Sequence, residues 1–165
     1  MFDKLLPRHR LLQWRINAYP PFLGAGVKIE RISPDFREID VRLPLTGLNR
    51  NYVGTQFGGS LYSMTDPFYM LMLLENLGSD YIVWDKSAQI AFLKPGRAAV
   101  HASFRLNAAD IERIRDETAT GFAAIPVYVV DIRDDSGDII ARVEKTLYVR
   151  RKKMLSQPER SRSHE

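Results

Sequence analysis

A loop rich in glycine lies immediately before an apolar segment, and its residue types are suited to chemistry. Residues 51–60 read NYVGTQFGGS, with glycine at positions 54, 58 and 59. If a helix begins at this loop, its first amides lack partners within the helix and its dipole favours negative charge. Such a place can polarise a carbonyl oxygen. The alternative is that the glycines only form a tight turn.

Asp66 is the second candidate, because it is an isolated acid in an apolar segment. Residues 58–77 read GGSLYSMTDPFYMLMLLENL, and the next acid is Glu75. A buried carboxylate is costly unless it is paired or hydrogen-bonded, so its presence calls for a reason. Pro67 supplies a competing one, because a proline at this position frees the carbonyl of Ser63 and kinks a helix. Asp66 would then have a structural role at the kink rather than a chemical one.

Two lysines are weaker candidates. Lys145 is in phase with Val143 and Leu147, so it would point inward unless a bulge shifts the register. It could then meet a ligand phosphate or an acidic partner such as Asp85. The favoured interpretation is a lysine at a sheet edge whose stem is covered and whose ammonium reaches solvent. Lys86 is interpreted in the same way.

Composition excludes several classes of protein. The chain has 165 residues, enough for one ordinary domain, and no cysteine, which excludes disulfides, thiolate nucleophiles and Cys-ligated metals. Only three histidines are present, so neither a metal nor another cofactor is expected. Three of the four net positive charges fall in residues 151–165, which argues against a nucleic-acid partner for the domain itself. No secretory signal or membrane span is recognised, so a cytoplasmic location without membrane insertion is expected.

The elements that must position the candidates follow from hydrophobic periodicity. Alternation with period two is typical of half-buried antiparallel strands, and we predict strands over residues 27–29, 39–43, 82–93, 100–106, 128–132 and 139–149. A helix within residues 1–18, ended by Pro20-Pro21, is expected to pack across the domain rather than lie on a membrane. Residues 108–119 are expected to form an exposed polar helix. The basic tail, residues 151–165, is expected to be disordered.

The segment from Ser60 to Leu77 is predicted to be one long helix. It is apolar on nearly every face, so it must be buried on nearly every face. Eighteen residues span about 27 Å, which is enough to cross a sheet. The predicted fold is therefore α+β, with a long buried central helix wrapped by a curved antiparallel sheet of five to six strands.

The loop and the helix together resemble the hotdog-fold thioesterase superfamily, in particular its phenylacetyl-CoA thioesterase-like branch and an uncharacterised bacterial subgroup. The branch has an Asn before a Gly-Gly pair and an Asp fifteen residues after the Asn, and Asn51 and Asp66 keep that spacing. The segment VWDKSAQIAFLKP, residues 83–95, adds to the likeness. The resemblance covers residues 25–150, which would form the hotdog domain, with residues 1–24 as a helix and a proline-rich connector. Two residues depart from the branch: Phe57 replaces its usual His, and Pro67 follows the acid directly.

The resemblance implies hydrolysis of an acyl-CoA-type thioester at a dimer interface. Gly59 would donate its amide to the thioester carbonyl, Asp66 of a partner subunit would be nucleophile or general base, and Asn51 would hold the water or the carbonyl. The residues expected to bind substrate are Phe57, Gly58, Ser60, Tyr62, Lys94 and Arg97. The expected partners are an acyl-CoA or acyl-carrier thioester and further copies of the chain, as a dimer or a dimer of dimers. The alternative is a non-catalytic hotdog protein that binds an acyl chain or an acyl carrier, which Phe57 and Pro67 favour.

Overall fold

The computed structural model of the chain describes residues 6–152. The helices in this range are α1 (Arg8–Asn17), α2 (Pro20–Ala25), α3 (Gly58–Ser63), α4 (Phe68–Leu77) and α5 (Ala108–Thr118). The strands are β1 (Lys28–Ile32), β2 (Glu38–Leu43), β3 (Tyr81–Phe92), β4 (Val100–Arg105), β5 (Ala123–Ala124), β6 (Val127–Asp134) and β7 (Ile139–Arg151). Nearly all of the tail predicted to be disordered lies outside the described residues.

One antiparallel sheet contains every strand, in the order β1-β2-β4-β6-β7-β3, with the two-residue β5 beside β7. The alternating segments of the sequence account for the six longer strands, because alternation lets each strand present one face to the core. In β2, for example, Ile39, Val41 and Leu43 are buried and the residues between them are partly exposed. Strand β3, twelve residues long, forms one edge of the sheet, and β1 forms the other.

The apolar segment lies against this sheet as two helices rather than one. Pro67 has no amide hydrogen to donate to the carbonyl of Ser63, and α3 ends there. The amide of Asp66 donates to that carbonyl instead, with an N–O distance of 3.2 Å, and α4 begins at Phe68. The predicted continuous helix is therefore interrupted over residues 64–67, which places Asp66 in the break.

The core lies between α4 and the inner face of the sheet. Phe68, Met72 and Leu73 of α4 are fully buried there. The ring of Phe68 meets that of Phe104 on β4 with 4.9 Å between their centroids. The other face of α4, with Met70, Leu71 and Leu74, is only partly buried. The expectation that this segment is buried on nearly every face is therefore wrong for that face of a single subunit.

The peripheral helices differ in part from expectation. Helix α1 packs on the domain and covers the edge of the sheet, since the side-chain amide of Asn17 both accepts from the backbone N–H of Ile29 (2.7 Å) and donates to its carbonyl (3.0 Å). Helix α5 was expected to be an exposed decoration, but this is wrong for one of its faces. Ile111 and Ile114 on that face are buried, because their spacing of three residues places them together against the core.

Candidate active site

The glycine loop, residues 51–60, is organised around the side chain of Asn51. Its Oδ1 accepts from the backbone amides of Val53 (3.1 Å) and Thr55 (2.9 Å). Its Nδ2 donates to Thr55 Oγ1 (2.9 Å) and to the carbonyl of Gln56 (3.3 Å). Both ends of the Asn51 amide are therefore used within the loop, and the side chain shapes the backbone that leads into α3.

Gln56 ties the glycine loop to the segment that follows β3. Its buried Nε2 donates to the carbonyls of Leu43 (3.1 Å) and Ala98 (3.0 Å). Its backbone amide donates to the carbonyl of Gly96 (2.8 Å), and a Cβ added at Gly96 would come within 2.8 Å of the Gln56 side chain. The close approach of two backbone segments therefore explains why glycine occupies position 96.

Gly58 and Gly59 are the first two residues of α3, and each faces an aromatic ring. A Cβ at Gly58 would lie 3.1 Å from Cζ of Phe92, and a Cβ at Gly59 would collide with the ring of Phe57. Neither glycine has a positive φ, so space rather than backbone conformation favours glycine at both positions. Phe57, the departure from the related motif, is half exposed and covers Gly59.

The predicted site residues line three separate cavities of one subunit. A cavity of about 460 Å³ lies between the glycine loop and the turn after β3, and Asn51, Gly58, Lys94 and Arg97 line it. A second, of about 370 Å³, is lined by Phe57, Gly59 and Ser60. A third, of about 260 Å³, is lined by Tyr62 and Asp66. A single subunit therefore does not bring Asn51, Gly59 and Asp66 into one cavity.

Two cations, Lys94 and Arg97, line the cavity of about 460 Å³. The ammonium of Lys94 is 2.8 Å from a carboxylate oxygen of Asp138, and both side chains are about half exposed. An ion pair this exposed contributes little to stability, so Lys94 can exchange its partner for another anion at small cost. Arg97 is exposed at the same turn.

Asp66 belongs to a charged cluster with Asp85 and Lys145. The Lys145 ammonium is 2.8 Å from Asp66 Oδ1 and 3.0 Å from Asp85 Oδ2. The Lys145 side chain is fully buried, whereas those of Asp66 and Asp85 are 45% and 21% exposed. The expectation that the ammonium of Lys145 reaches solvent is therefore wrong, because two carboxylates compensate its charge inside the fold.

The cluster shifts the pKa values of its two carboxyl groups in opposite directions. Burial raises the pKa of Asp66, but hydrogen bonds with Asp85 and Lys145 outweigh it and hold that pKa below its usual value. Burial and the neighbouring Asp66 raise the pKa of Asp85 to about 6. Burial opposes the charge on Lys145, but the two carboxylates outweigh it and raise the pKa of the ammonium. Asp66 is thus ionised near neutral pH, as a proton acceptor must be.

Sequence reasoning placed Asp66 in the site but took it for a lone acid. The inward phase of Lys145 and its contact with Asp85, one of the two partners that the sequence suggests for it, are confirmed by the structure. The missing information was three-dimensional. A register shift in the β3–β7 pairing next to Asp85 and the helix break at Asp66 bring both acids to the same lysine.

Residues 6–152 contain neither a metal-binding cluster nor a membrane-spanning helix. No group of three or more histidine or acidic side chains in this range is arranged to hold a metal ion. No helix in the same range is long and apolar enough to cross a membrane.

Solved structures identify the class of fold. PA5026 from Pseudomonas aeruginosa, a protein of unknown function described as a probable thioesterase, superposes with a TM-score of 0.76 at 18% identity, over 86% of this chain and 95% of that chain. The thioesterase HI1161 from Haemophilus influenzae gives 0.63 at 17% identity, over 87% and 90%. A mutant of thioesterase PA1618 from P. aeruginosa gives 0.65 at 14% identity, over 88% and 95%. The chain has the hotdog fold of this thioesterase-like group.

A family model also matches the chain over most of its length. The chain belongs to the family described as a domain of unknown function, DUF4442, whose model matches residues 8–149. A search of the curated proteins finds no match.

Proposed function

We propose that this protein hydrolyses an acyl-CoA-type thioester, with Asp66 as the acid–base or nucleophilic group. The observation that carries the proposal is the state of Asp66. It is a half-exposed carboxylate held ionised by a buried ammonium, in a break that directly follows a helix begun by Gly-Gly. The thioesterase descriptions of PA5026 and HI1161, which share the fold, point to the same reaction class.

The proposed reaction needs a base and an oxyanion donor. Asp66 takes a proton from water while the water oxygen attacks the thioester carbon, and the carbonyl electrons move to oxygen. The backbone amide of Gly59 donates to that oxyanion. When the intermediate collapses, the C–S bond breaks and the thiolate takes the proton from Asp66. One oxyanion donor is worth about 3–4 kcal/mol of barrier and a base roughly 10²–10⁴-fold, which suits an already activated ester.

In the alternative route Asp66 attacks the carbonyl carbon directly, the C–S bond breaks and the thiolate leaves. Water then hydrolyses the resulting anhydride and regenerates Asp66. Mass spectrometry of rapidly quenched enzyme separates the two routes, because only the second adds the acyl mass to the chain. Asn51 is proposed to assist either route by fixing the loop that presents Gly59, since all four of its side-chain hydrogen bonds remain within the loop.

We propose that the acyl carrier binds in the cavity between the glycine loop and the turn after β3. Its volume of about 460 Å³ lies in the usual range of small-molecule sites. Lys94 and Arg97 would meet the phosphates of CoA there, while Gly58 allows close approach at the loop. The acyl chain would run beside Phe57, Ser60 and Tyr62, which line the two smaller cavities.

We propose that the site is completed by a second copy of the chain. Gly59 and Asp66 line different cavities within one subunit, so a partner's Asp66 would be required beside Gly59. Strand β3 supports this arrangement, because it is a twelve-residue edge strand with Trp84 and Phe92 exposed. An uncovered edge of this length is a template for pairing. The hotdog domain would comprise residues 25–150, and a cytoplasmic location is proposed with it.

The second candidate is a non-catalytic protein that binds an acyl chain or an acyl carrier. The observation in its favour is that the polar groups of the site already have partners. The Asn51 amide is used within its loop and Asp66 is paired with Lys145. Under this proposal the cavities would hold ligand without turning it over.

One assay decides between the two candidates. The purified chain is mixed with acyl-CoAs of short, long and aromatic acyl groups, and free thiol is followed with a thiol-reactive dye. The chain has no cysteine, so it contributes no background. We expect turnover of at least one ester and a loss of about 10²–10⁴-fold in kcat for Asp66→Asn. Binding of an acyl-CoA by calorimetry with no turnover would establish the second candidate instead.

A further inference from the structure

Within the charged cluster, the side chain of Lys145 is more deeply buried than those of Asp66 and Asp85. It lies on β7 between Val143 and Leu147, on the face of the sheet that forms the core, and none of its side chain is exposed. Burying an ammonium is costly unless it is paired and hydrogen-bonded. Its position is therefore fixed by its two carboxylate partners rather than by solvent, unlike that of a surface lysine.

Three different elements supply the cluster. Lys145 comes from β7, Asp66 from the break between α3 and α4, and Asp85 from β3 beside the register shift. The Tyr62 ring of α3 lies under the ammonium, with 5.3 Å from Nζ to its centroid, which adds a cation–π attraction. This arrangement holds the ammonium from several sides, so its direction toward Asp66 is well defined.

Three tyrosines also lie beside the cluster. One lines the small cavity beside Asp66, one lies under Lys145, and one is paired with Lys145 in the β6–β7 register: Tyr19, Tyr62 and Tyr128. Burial raises the pKa of Tyr128. Within residues 6–152 the charges that act on Asp66 are therefore those of Lys145 and Asp85.

We propose that Lys145 is the positioning residue of the active site, holding Oδ1 of Asp66 so that Oδ2 is presented to the water or the thioester. This inference rests on the proposed function for its role in turnover. The effect of Lys145 on the protonation of Asp66, which we call control of Asp66 by Lys145, can be tested without any substrate.

Two consequences distinguish positioning from mere structural support. An opposite charge at this distance lowers the pKa of a carboxyl by about 1–3 units. Without the ammonium, Asp66 and Asp85 would compete for one proton as a pair of like charges. The protonation midpoint of Asp66 and the acid limb of kcat would then move upward together. A lysine that only supported the fold would lower activity equally at all pH values.

The substrate-free test is a titration of aspartate carboxyl carbons by NMR, using ¹³C-labelled protein and Asp66→Asn to assign the Asp66 signal. In Lys145→Met we expect the Asp66 midpoint to rise by about 1–3 units. The matched control is Lys86→Met, which removes an exposed ammonium next to Asp85 in the chain, and we expect it to move the midpoint by less than about 0.3 unit. A Lys145→Met midpoint within about 0.3 unit of the parent value would overturn the proposal.

Two more variants keep the test decisive if Lys145→Met does not fold. Lys145→Arg retains the charge, so the Asp66 midpoint is expected to stay low. Asp85→Asn leaves the ammonium to Asp66 alone, so the midpoint is expected to stay at or below that of the parent. A rise in Lys145→Arg would refute control by the Lys145 charge. A rise in Asp85→Asn would assign the low midpoint to the hydrogen bond with Asp85 instead and would equally overturn the proposal.

The second readout is the pH profile of thioester turnover. We expect the acid limb of kcat in Lys145→Met to follow the NMR midpoint, with KM changed by less than about twofold. If the NMR midpoint moves but no acyl-CoA is hydrolysed by the parent protein, the proposed function fails while control of Asp66 by Lys145 stands. If turnover is found but neither the midpoint nor the acid limb moves, the positioning role fails alone.

Discussion

The glycine loop and the charged cluster lie at the two ends of the same short helix, α3, but they are held together in opposite ways. In the loop, Asn51 bonds only to residues two to five positions further along the chain. In the cluster, Lys145 reaches Asp66 across 79 residues of sequence. The turn around Asn51 is therefore local, although Gln56 also joins the loop to the carbonyls of Leu43 and Ala98. The cluster, in contrast, exists only when β3 and β7 have paired.

The two regions therefore also make different contributions to the proposed site. The loop supplies backbone amides in a fixed shape, and its polar side chains are occupied in maintaining that shape. The cluster supplies charge, and its geometry decides which carboxyl group carries a proton. Substitutions in the loop should therefore alter shape and stability, while substitutions in the cluster should alter protonation.

The largest expected effect in the loop comes from Gly59→Ala. The added methyl collides with the Phe57 ring, so the start of α3 must shift although its amide is retained. A displacement of this kind near a reacting group costs about 10²-fold in rate, and we expect that loss in kcat/KM for an acyl-CoA.

Two comparisons sharpen that prediction. Phe57→Leu combined with Gly59→Ala should recover most of the loss, because the ring that causes the collision is gone. Gly47→Ala is the matched control, since a Cβ there meets nothing within 4 Å. If the double variant stayed as slow as Gly59→Ala alone, the collision would not be the reason for glycine at this position.

The next effect is on stability and concerns Asn51→Ala. Four hydrogen bonds are removed, including those to the amides of Val53 and Thr55. We expect a loss of about 2 kcal/mol in the free energy of unfolding by urea denaturation, because each bond contributes about 0.5–1.5 kcal/mol and the loop partly relaxes. Tyr52→Ala is the control, because Tyr52 is fully exposed and should change stability by less than about 0.5 kcal/mol. Equal losses for the two variants would contradict the role assigned to Asn51.

A further effect is spread over a range of pH: the pH dependence of stability changes when Asp85 is replaced by Asn. In the folded protein the pKa of Asp85 is raised from 3.8 to about 6. Between about pH 4 and 6 the folded state therefore binds more protons at this group than the unfolded state. Its contribution to stability is present below pH 4 and is lost as the pH rises to 6.

Asp85→Asn removes that loss, so its stability relative to the parent should improve steadily from pH 4 to 6. Urea denaturation at several pH values measures this slope. Asp66 acts in another window, because its lowered pKa gives stability that is lost only as the pH falls below about 3.8. Glu144→Gln, on the exposed face of β7, is the matched control. If it showed the same slope as Asp85→Asn, the effect would not belong to the cluster.

Much of the fold could be predicted from the sequence because its signals are local. Alternation predicted β2, β3, β4, β6 and β7 within a few residues of their observed bounds, and the apolar segment predicted the helices against the sheet. The interruption of that segment was less accessible, since a proline in an apolar helix is compatible with either a kink or a complete break. The structure has the break, and the position of Asp66 depends on it.

The site was predictable only as far as its residues act locally. The glycine loop and Asp66 were recognisable because residue types and spacing within fifteen positions carry the pattern. The inward phase of Lys145 and a possible contact with Asp85 were also recognisable. That both meet Asp66 was not, because this contact depends on the register of β3 against β7 and on where α3 ends. Neither is encoded in any single window of the sequence.

The covering of β1 by α1 determines how far copies of this chain could assemble. Asn17 uses its amide as a substitute for a neighbouring strand at Ile29, and Gln13 donates to the carbonyls of Ile29 and Glu30. If two copies join through β3, the combined sheet has a covered β1 at each end. Growth by strand addition then stops at two copies, and the same contacts protect the protein against runaway edge-to-edge aggregation.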